Sequence, residues 1–203
     1  MTLDDLGGEK LPPDTVRVLK EANRRVALLE ILVDDLALYL RLEARIFRYS
    51  PITIAVRELT ASTMDELAPA ASARDVALQS DCESVDLRGH VKVDPRCFSR
   101  VMKELLTHAL DASSPGGTIC VRLACIGPKF RWTVGTEAAA IDEGLRRKIF
   151  EPFELGGAKA SGLGLTIARG MARLADGDLT SSNTAEGTTA FHLDLPIAQN
   201  ALA

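Results

Sequence analysis

From about Thr15 to Phe47 no glycine or proline interrupts the chain, and Leu19, Ala22, Val26, Leu29, Val33, Leu36 and Leu40 recur at alternating three- and four-residue steps. This is an unbroken a/d seam over three heptads, the pattern of a helix that lies along another helix. Leu28, Ile31, Leu32 and Leu38 widen the apolar stripe beyond that of a two-stranded coiled coil, which suits a bundle. A helix of ~50 Å is long for packing against the chain's own body, so the pattern predicts self-association. Residues 1–13 read as a flexible lead ending in Pro12-Pro13, and Asp14 as a cap for the helix. Ser50-Pro51 is a stop signal, which divides a helical segment over 14–50 from a second unit over 51–203.

Shorter periods follow. Residues 56–72 read as a helix carrying Leu59, Met64 and Leu67, with short strands at 76–78 and 91–93. Asp94-Pro95 opens a helix, with an acid at the cap and proline in the first turn. That helix runs to about Ala112 and stops at the turn-forming run Ser113 to Gly117. Residues 118–126 and 129–135 read as a hairpin around Gly127-Pro128, with Phe130, Trp132 and Val134 alternating onto one face. Helical spacing returns over 163–174, and 179–182 and 188–195 form a closing strand pair with Phe191, Leu193 and Leu195 on one side. This order predicts an α+β two-layer sandwich, a mixed sheet covered by helices, preceded by a long N-terminal helix.

Composition narrows the function classes. The net charge of −4 gives no electrostatic reason to expect nucleic acid, and one tryptophan in 203 residues offers little stacking surface. No apolar run approaches spanning length and the N-terminus is acidic, so no membrane segment is expected and the chain reads as cytoplasmic. Cys82, Cys97, Cys120 and Cys125 lack metal-site spacing; Cys120 and Cys125 lie in an apolar run and read as buried free thiols.

The candidate chemistry lies near the C-terminal end. Phe150-Glu-Pro-Phe153 is followed nine residues later by Gly162-Leu163-Gly164-Leu165, where the second helical pattern begins. A helix N-terminus presents unpaired N–H groups, and glycine allows a phosphate to come close to the backbone. Phe150 and Phe153 read as core anchors at the hinge, and Lys159, between the motifs, is placed to reach a terminal phosphate.

Taken in order, these motifs resemble bacterial sensor histidine kinases, from the second dimerisation helix through the catalytic domain of the gyrase, chaperone and kinase ATPase superfamily. VDDLALYLRLEA (33–44) is similar to the end of the dimerisation hairpin, and VKVDPRCFSRVMKELLTHALDASSPGG (91–117) to the segment holding the N box. IFEPF (149–153) resembles the F box, SGLGLTIARGMARLADGDL (161–179) the G2 box with its helix, and EGTTAFHLDLP (186–196) the closing strand. The resemblance implies ATP and Mg²⁺ as ligands, a homodimer through the N-terminal helix, and a response regulator or a histidine-bearing protein as partner. It places Glu104 in the catalytic N box, and His108, Thr136, Lys159, Gly162, Leu163, Gly164, Phe150 and Phe153 around the nucleotide.

Several positions depart from the family pattern. His108 stands where the resemblance implies the Mg²⁺-ligating asparagine, and Mg²⁺ prefers oxygen ligands, so His108 is a weak metal candidate. The adenine-binding aspartate and glycines fall on Thr136, Ala138 and Ala140. Loss of a buried hydrogen-bond partner costs roughly 1–3 kcal/mol, so weak ATP binding is expected. The chain's histidines are His90, His108 and His192; the first and last read as structural, which leaves the family's phospho-acceptor unmatched. The reading is a divergent kinase module acting on a histidine supplied in trans or upstream. The alternative is an inactive dimeric pseudokinase that binds a response regulator or partner kinase. An anti-sigma-factor-like serine kinase fits less well, given the long first helix and the missing N-box asparagine.

Overall fold

A computed structural model describes residues 12–81, 89–154 and 161–198. Helix α1 (Pro13–Glu43) leads, followed by β1 (Ile52–Ala55), α2 (Val56–Ser72), β2 (Ala77–Asp81), β3 (His90–Val93) and α3 (Pro95–Ala112). Then come β4 (Thr118–Ile126), β5 (Lys129–Ala139), α4 (Glu143–Lys148), α5 (Gly164–Leu174), β6 (Asp178–Asn183) and β7 (Thr188–Pro196). The main sheet has the order β2-β4-β5-β7-β6; β2 runs parallel to β4 and the other pairs are antiparallel. Strands β1 and β3 form a separate antiparallel pair, joined to the end of β7 by a bridge between Val91 and Ile197.

Alternation on β4, β5 and β7 sends Ile119, Val121, Leu123, Phe130, Trp132, Val134, Phe191, Leu193 and Leu195 inward, where α3 and α5 cover them. α3 buries Phe98, Val101, Met102, Leu105, Leu106 and Ala109 at helical spacing. Trp132 is fully buried at the centre, edge-on to Phe98 with ring centroids 5.0 Å apart. Its indole N–H would be costly there without a partner, and it donates to Thr60 Oγ1 at 2.8 Å. The result is the two-layer α+β architecture, a mixed sheet with helices packed on it and a long helix ahead of it.

The long helix covers the whole seam from Leu19 to Leu40 but stops short of the expected end at Ser50-Pro51. It ends at Glu43, and Arg45 turns the chain in the left-handed region at φ 56°. Asp14 lies inside the first turn, and the cap position is Pro12, which makes no side-chain cap bond. Leu38, Tyr39 and Leu42 pack on the body, whereas Val26, Leu29, Val33, Leu36 and Leu40 stay exposed. Two elements lacked a periodic signal: β1 has only four residues, two of them exposed, and α4 is a single polar turn and a half with no buried residue. The cysteines also depart from expectation. Cys125, at the end of β4, is exposed and Cys120 half-buried, while Cys97 on α3 is buried and its thiol is pushed up to about 12 by that burial.

Asp94 secures the start of α3. Its carboxylate accepts from the backbone N–H of Arg96 at 3.0 Å, from the Arg96 guanidinium at 3.1 and 2.8 Å, and from the N–H of Ser50 at 3.1 Å. The Arg96 side chain, helped by these N–H groups, holds the carboxyl below its ordinary range although burial opposes this. With the folded-state pKa below the unfolded value of ~3.9, the carboxylate stabilises the fold above that value and the contribution disappears as pH falls through the folded one. Asp94→Ala is therefore expected to cost about 1–2 kcal/mol near neutrality, with the gap to the parent narrowing on acidification. Urea unfolding at neutral and acid pH measures this, and a pH-independent gap would contradict it.

Candidate functional site

The amphipathic form of α3 creates the site. With its apolar row buried, Arg100, Lys103, Glu104, Thr107 and His108 lie along the opposite side, one helical turn and then another apart. They form one wall of a cleft of 280 Å³. The other wall is the turn Ser161–Gly164 that leads into α5, with Leu165 behind it, and α1 closes one end with Ile31 and Asp35. Glu104 and His108 on α3 are thus brought to Gly162 and Gly164 at the start of α5, more than 50 residues away in sequence.

Both glycines have a local cause. Gly162 sits at φ 70°, where residues with a side chain are strained, and its carbonyl accepts the N–H of Phe153 at 2.8 Å. A Cβ on Gly164 would lie 1.9 Å from Glu104 Oε1, so the missing side chain makes room for that carboxylate. Glu104 in turn lies 3.3 Å from His108 Nε2, and the His108 ring rests near Phe191 at 6.0 Å between centroids. Leu163, buried at the cap position of α5, donates its N–H to Ser161 Oγ at 3.1 Å.

The remaining predicted positions behave differently from one another. Phe150 is a core residue, 8% exposed, with the Arg169 guanidinium 5.0 Å from its ring centroid. Phe153 is no core anchor: it is 62% exposed and adopts φ 68°. Its backbone N–H is bonded to the Gly162 carbonyl, and its ring faces solvent. Thr136 lies in β5 where pairing with β7 is irregular, four steps on β5 from Gly135 to Ala139 matching two on β7 from Ala190 to Thr188. Its side chain, and that of Ala138, fall outside the description, as does Lys159 altogether. Glu137, next to Thr136, reaches away to accept the N–H of Ser114 at 3.2 Å.

His192 is held between Thr133 Oγ1 at 3.0 Å and Ser182 Oγ at 2.8 Å on the sheet, and burial, with Arg131 nearby, lowers its pKa. Sequence reasoning missed Asp35, Arg100, Lys103 and Ser161. Arg100 and Lys103 were findable from the helical spacing that leads to Glu104, but Asp35 looks like any polar residue beside an apolar seam.

A divalent metal finds a poor donor set in this cleft. Of its two carboxylates, Asp35 is engaged by Arg100 and Ser161, and Glu104 lies beside His108, whose nitrogen is a weak ligand for Mg²⁺. Among the described residues no group of three His, Cys, Asp or Glu side chains is placed to hold a metal ion. A phosphate fits the turn ahead of α5 better, since a helix N-terminus and glycine backbone are the right chemistry, once Glu104 swings aside from Gly164.

Residues 93–199 match the family described as Histidine kinase-, DNA gyrase B-, and HSP90-like ATPase, and the chain belongs to it. Among its relatives is the Sensor histidine kinase GlrK of Escherichia coli, 30% identical over 113 residues, covering 53% of this chain and 24% of that protein. The Alginate biosynthesis sensor protein KinB of Pseudomonas aeruginosa is 26% identical over 195 residues, 95% of this chain and 32% of that protein. The chain thus spans about a quarter to a third of the length of these two relatives. Among solved structures, the Acinetobacter baumannii histidine kinase AdeS superposes with a TM-score of 0.72 at 16% identity, over 97% of this chain and 90% of that one. The histidine kinase ThkA, solved with the response regulator protein TrrA, gives 0.72 at 20% identity over 94% of this chain and 53% of that one. The structural likeness establishes the fold. The architecture is that of a histidine-kinase-type ATPase domain.

The left-handed backbone at Phe153 yields a direct test. A residue with a Cβ costs roughly 1–2 kcal/mol in this conformation, and little packing is at stake in an exposed ring. Phe153→Gly is expected to be more stable than Phe153→Ala by about 1 kcal/mol in chemical denaturation. Equal stabilities would contradict a left-handed backbone at Phe153.

Proposed function

We propose that this chain is a divergent catalytic module of a two-component histidine kinase, binding ATP weakly and passing its γ-phosphoryl group to a histidine supplied by a partner or by an upstream segment. The observation that carries this reading is the meeting of Glu104 with the Gly162–Gly164 turn across the cleft. ATP supplies the phosphoryl group. The acceptor imidazole nitrogen attacks the γ-phosphorus, the bond to the bridging oxygen breaks, and ADP leaves. The turn ahead of α5 receives phosphate oxygens, Lys103 offers a positive charge at the rim, and Glu104 takes the proton from the acceptor nitrogen. Gly162, Leu163 and Gly164 hold the phosphates, Phe150 fixes the hinge from the core, and Thr136 and Lys159 complete the nucleotide site. His108 orients Glu104 in preference to binding Mg²⁺.

A second reading, an inactive dimeric pseudokinase, draws support from the glycines themselves. Gly162 is required by its φ and Gly164 by the Glu104 carboxylate, so retention of the pair does not by itself demand a phosphate. Under either reading the chain is a homodimer whose partner is a response regulator or a histidine-bearing kinase. Among the described residues no helix is long and apolar enough to cross a membrane, and we place this module on the cytoplasmic side.

Calorimetry with ATP, with and without Mg²⁺, is expected to give a dissociation constant in the high-micromolar range, and a radiolabel assay to detect transfer to a histidine-bearing partner. Glu104→Gln should leave binding within a few-fold while lowering transfer by ~100-fold or more. No binding at millimolar ATP would remove the kinase reading and leave the scaffold.

Dimerisation has its own test, since the a/d seam of α1 is exposed along its length. Leu29→Asp with Leu36→Asp should produce monomers in sedimentation with the α+β body still folded. A monomeric parent, or an unchanged mass in the variant, rejects the seam.

A further inference from the structure

Among the described residues, the one fully buried side chain of the 31-residue helix α1 is a carboxylate, Asp35, 5% exposed. Burying a charge is costly unless every oxygen is satisfied. Asp35 Oδ1 accepts from Arg100 Nη2 at 2.6 Å, and Oδ2 accepts from Ser161 Oγ at 2.6 Å. The Ser161 hydroxyl has one hydrogen, which it gives to Asp35, so its oxygen is free to accept the Leu163 N–H at 3.1 Å. Asp35 therefore ties together both walls of the cleft. Arg100 lies one turn before Glu104 on α3, and Leu163 opens α5 between the two glycines.

The consequence concerns phosphate. The Leu163 N–H is one of the donors a helix N-terminus offers to an anion, and here it is already spent on Ser161. The space over Gly164 is likewise filled by the Glu104 carboxylate. We propose that Asp35 is a positioning residue that holds the phosphate end of the cleft in a closed, self-satisfied state, released when α1 shifts against the body.

The fold provides for such a shift. Besides Asp35, the α1 side chains packed on the body lie near its C-terminal end, where Leu38, Tyr39 and Leu42 meet the core and Leu42 Cδ1 would lie 3.3 Å from a Cβ at Gly170. The preceding turns project with their apolar seam exposed, so they form a lever on which a helical partner can act. A slide or rotation of ~1–2 Å at Asp35 breaks hydrogen bonds of 2.6 Å, because charge-assisted bonds tolerate little stretching. Release of Ser161 frees the Leu163 N–H, and release of Arg100 returns a guanidinium to the cleft.

The inference rests on the reading that this cleft takes a nucleotide, and the test separates the two. Amide hydrogen exchange is measured on the full chain for the parent, Asp35→Asn, Ser161→Ala and Ser161→Thr, together with ATP titrations by calorimetry. Asp35→Asn and Ser161→Ala should speed exchange in the peptide spanning Ser161 to Thr166 by about three- to tenfold, the worth of one hydrogen bond, with β4 and β5 unchanged. Ser161→Thr, which keeps the hydroxyl, should restore the parental rate. ATP should bind both loosened variants more tightly by a similar factor. Unchanged exchange in both variants overturns the latch even if ATP binds. Faster local exchange with no ATP binding by any variant supports the latch as a coupling of α1 to the turn and defeats the nucleotide reading instead.

Discussion

Burial of one face of α3 against the sheet is the constraint from which the site follows. Phe98, Val101, Met102, Leu105 and Ala109 can reach the core only if the helix is rotated so that Arg100, Lys103, Glu104 and His108 face away from it. Trp132 fixes that rotation from the sheet side, edge-on to Phe98 and bonded to Thr60 on α2. Asp94 fixes it from the end, by starting the helix at Pro95 and bonding back to Ser50. The polar row faces the cleft because the apolar row leaves it no other direction. A substitution in the core of α3 would therefore reach the chemistry through rotation as well as through stability.

The glycine pair acquires a second meaning from the same geometry. From sequence, Gly162 and Gly164 stand for a phosphate cradle, since close approach of an anion to a helix start needs the absence of side chains. In the folded chain the anion nearest Gly164 is the protein's own carboxylate. These meanings are compatible, because a side chain that occupies an anion site is also one that an anion can displace. The room over Gly164 holds the Glu104 carboxylate, and under the proposed function the same room would take a phosphate oxygen. What the glycine provides is room for negative charge.

Legibility in the sequence followed the strength of the periodic signal. α3, β4, β5, α5 and β7 bury a regular row against a common core, so spacing alone placed them, and the Asp94-Pro95 signal located the start of α3 to the residue. β1 and α4 are too short or too polar to carry a period, and both were invisible. The end of α1 was overrun because Arg45 leaves the helix through a left-handed turn that has no glycine to mark it. The exposed ring of Phe153 departs from its hydrophobicity, and the residue also adopts a left-handed backbone that nothing in the sequence marks. Asp35 was beyond reach. A polar residue beside an apolar seam is normally solvated, and only the approach of Arg100 and Ser161, 65 and 126 residues away, makes it a buried centre.

Charge within the cleft decides how these parts combine. Asp35 is matched by Arg100, and Glu104 lies against His108, so Arg100 and the His108 imidazole are already engaged by the protein's own carboxylates. Lys103 at the rim forms no such pair among the ion pairs described. An incoming phosphate must displace Glu104 and compete with Ser161 for the Leu163 N–H before it gains the field of α5. A ligand's apparent affinity falls by the fraction of molecules in the competent state, so a self-satisfied cleft binds weakly even where every contact it finally makes is good. Under the proposed reading, the weak binding expected from Thr136 and His108 gains a second source, namely the stability of the unliganded arrangement. In the proposed latch, motion of α1 acts on that stability directly, because the carboxylate that completes the arrangement belongs to the helix that would move.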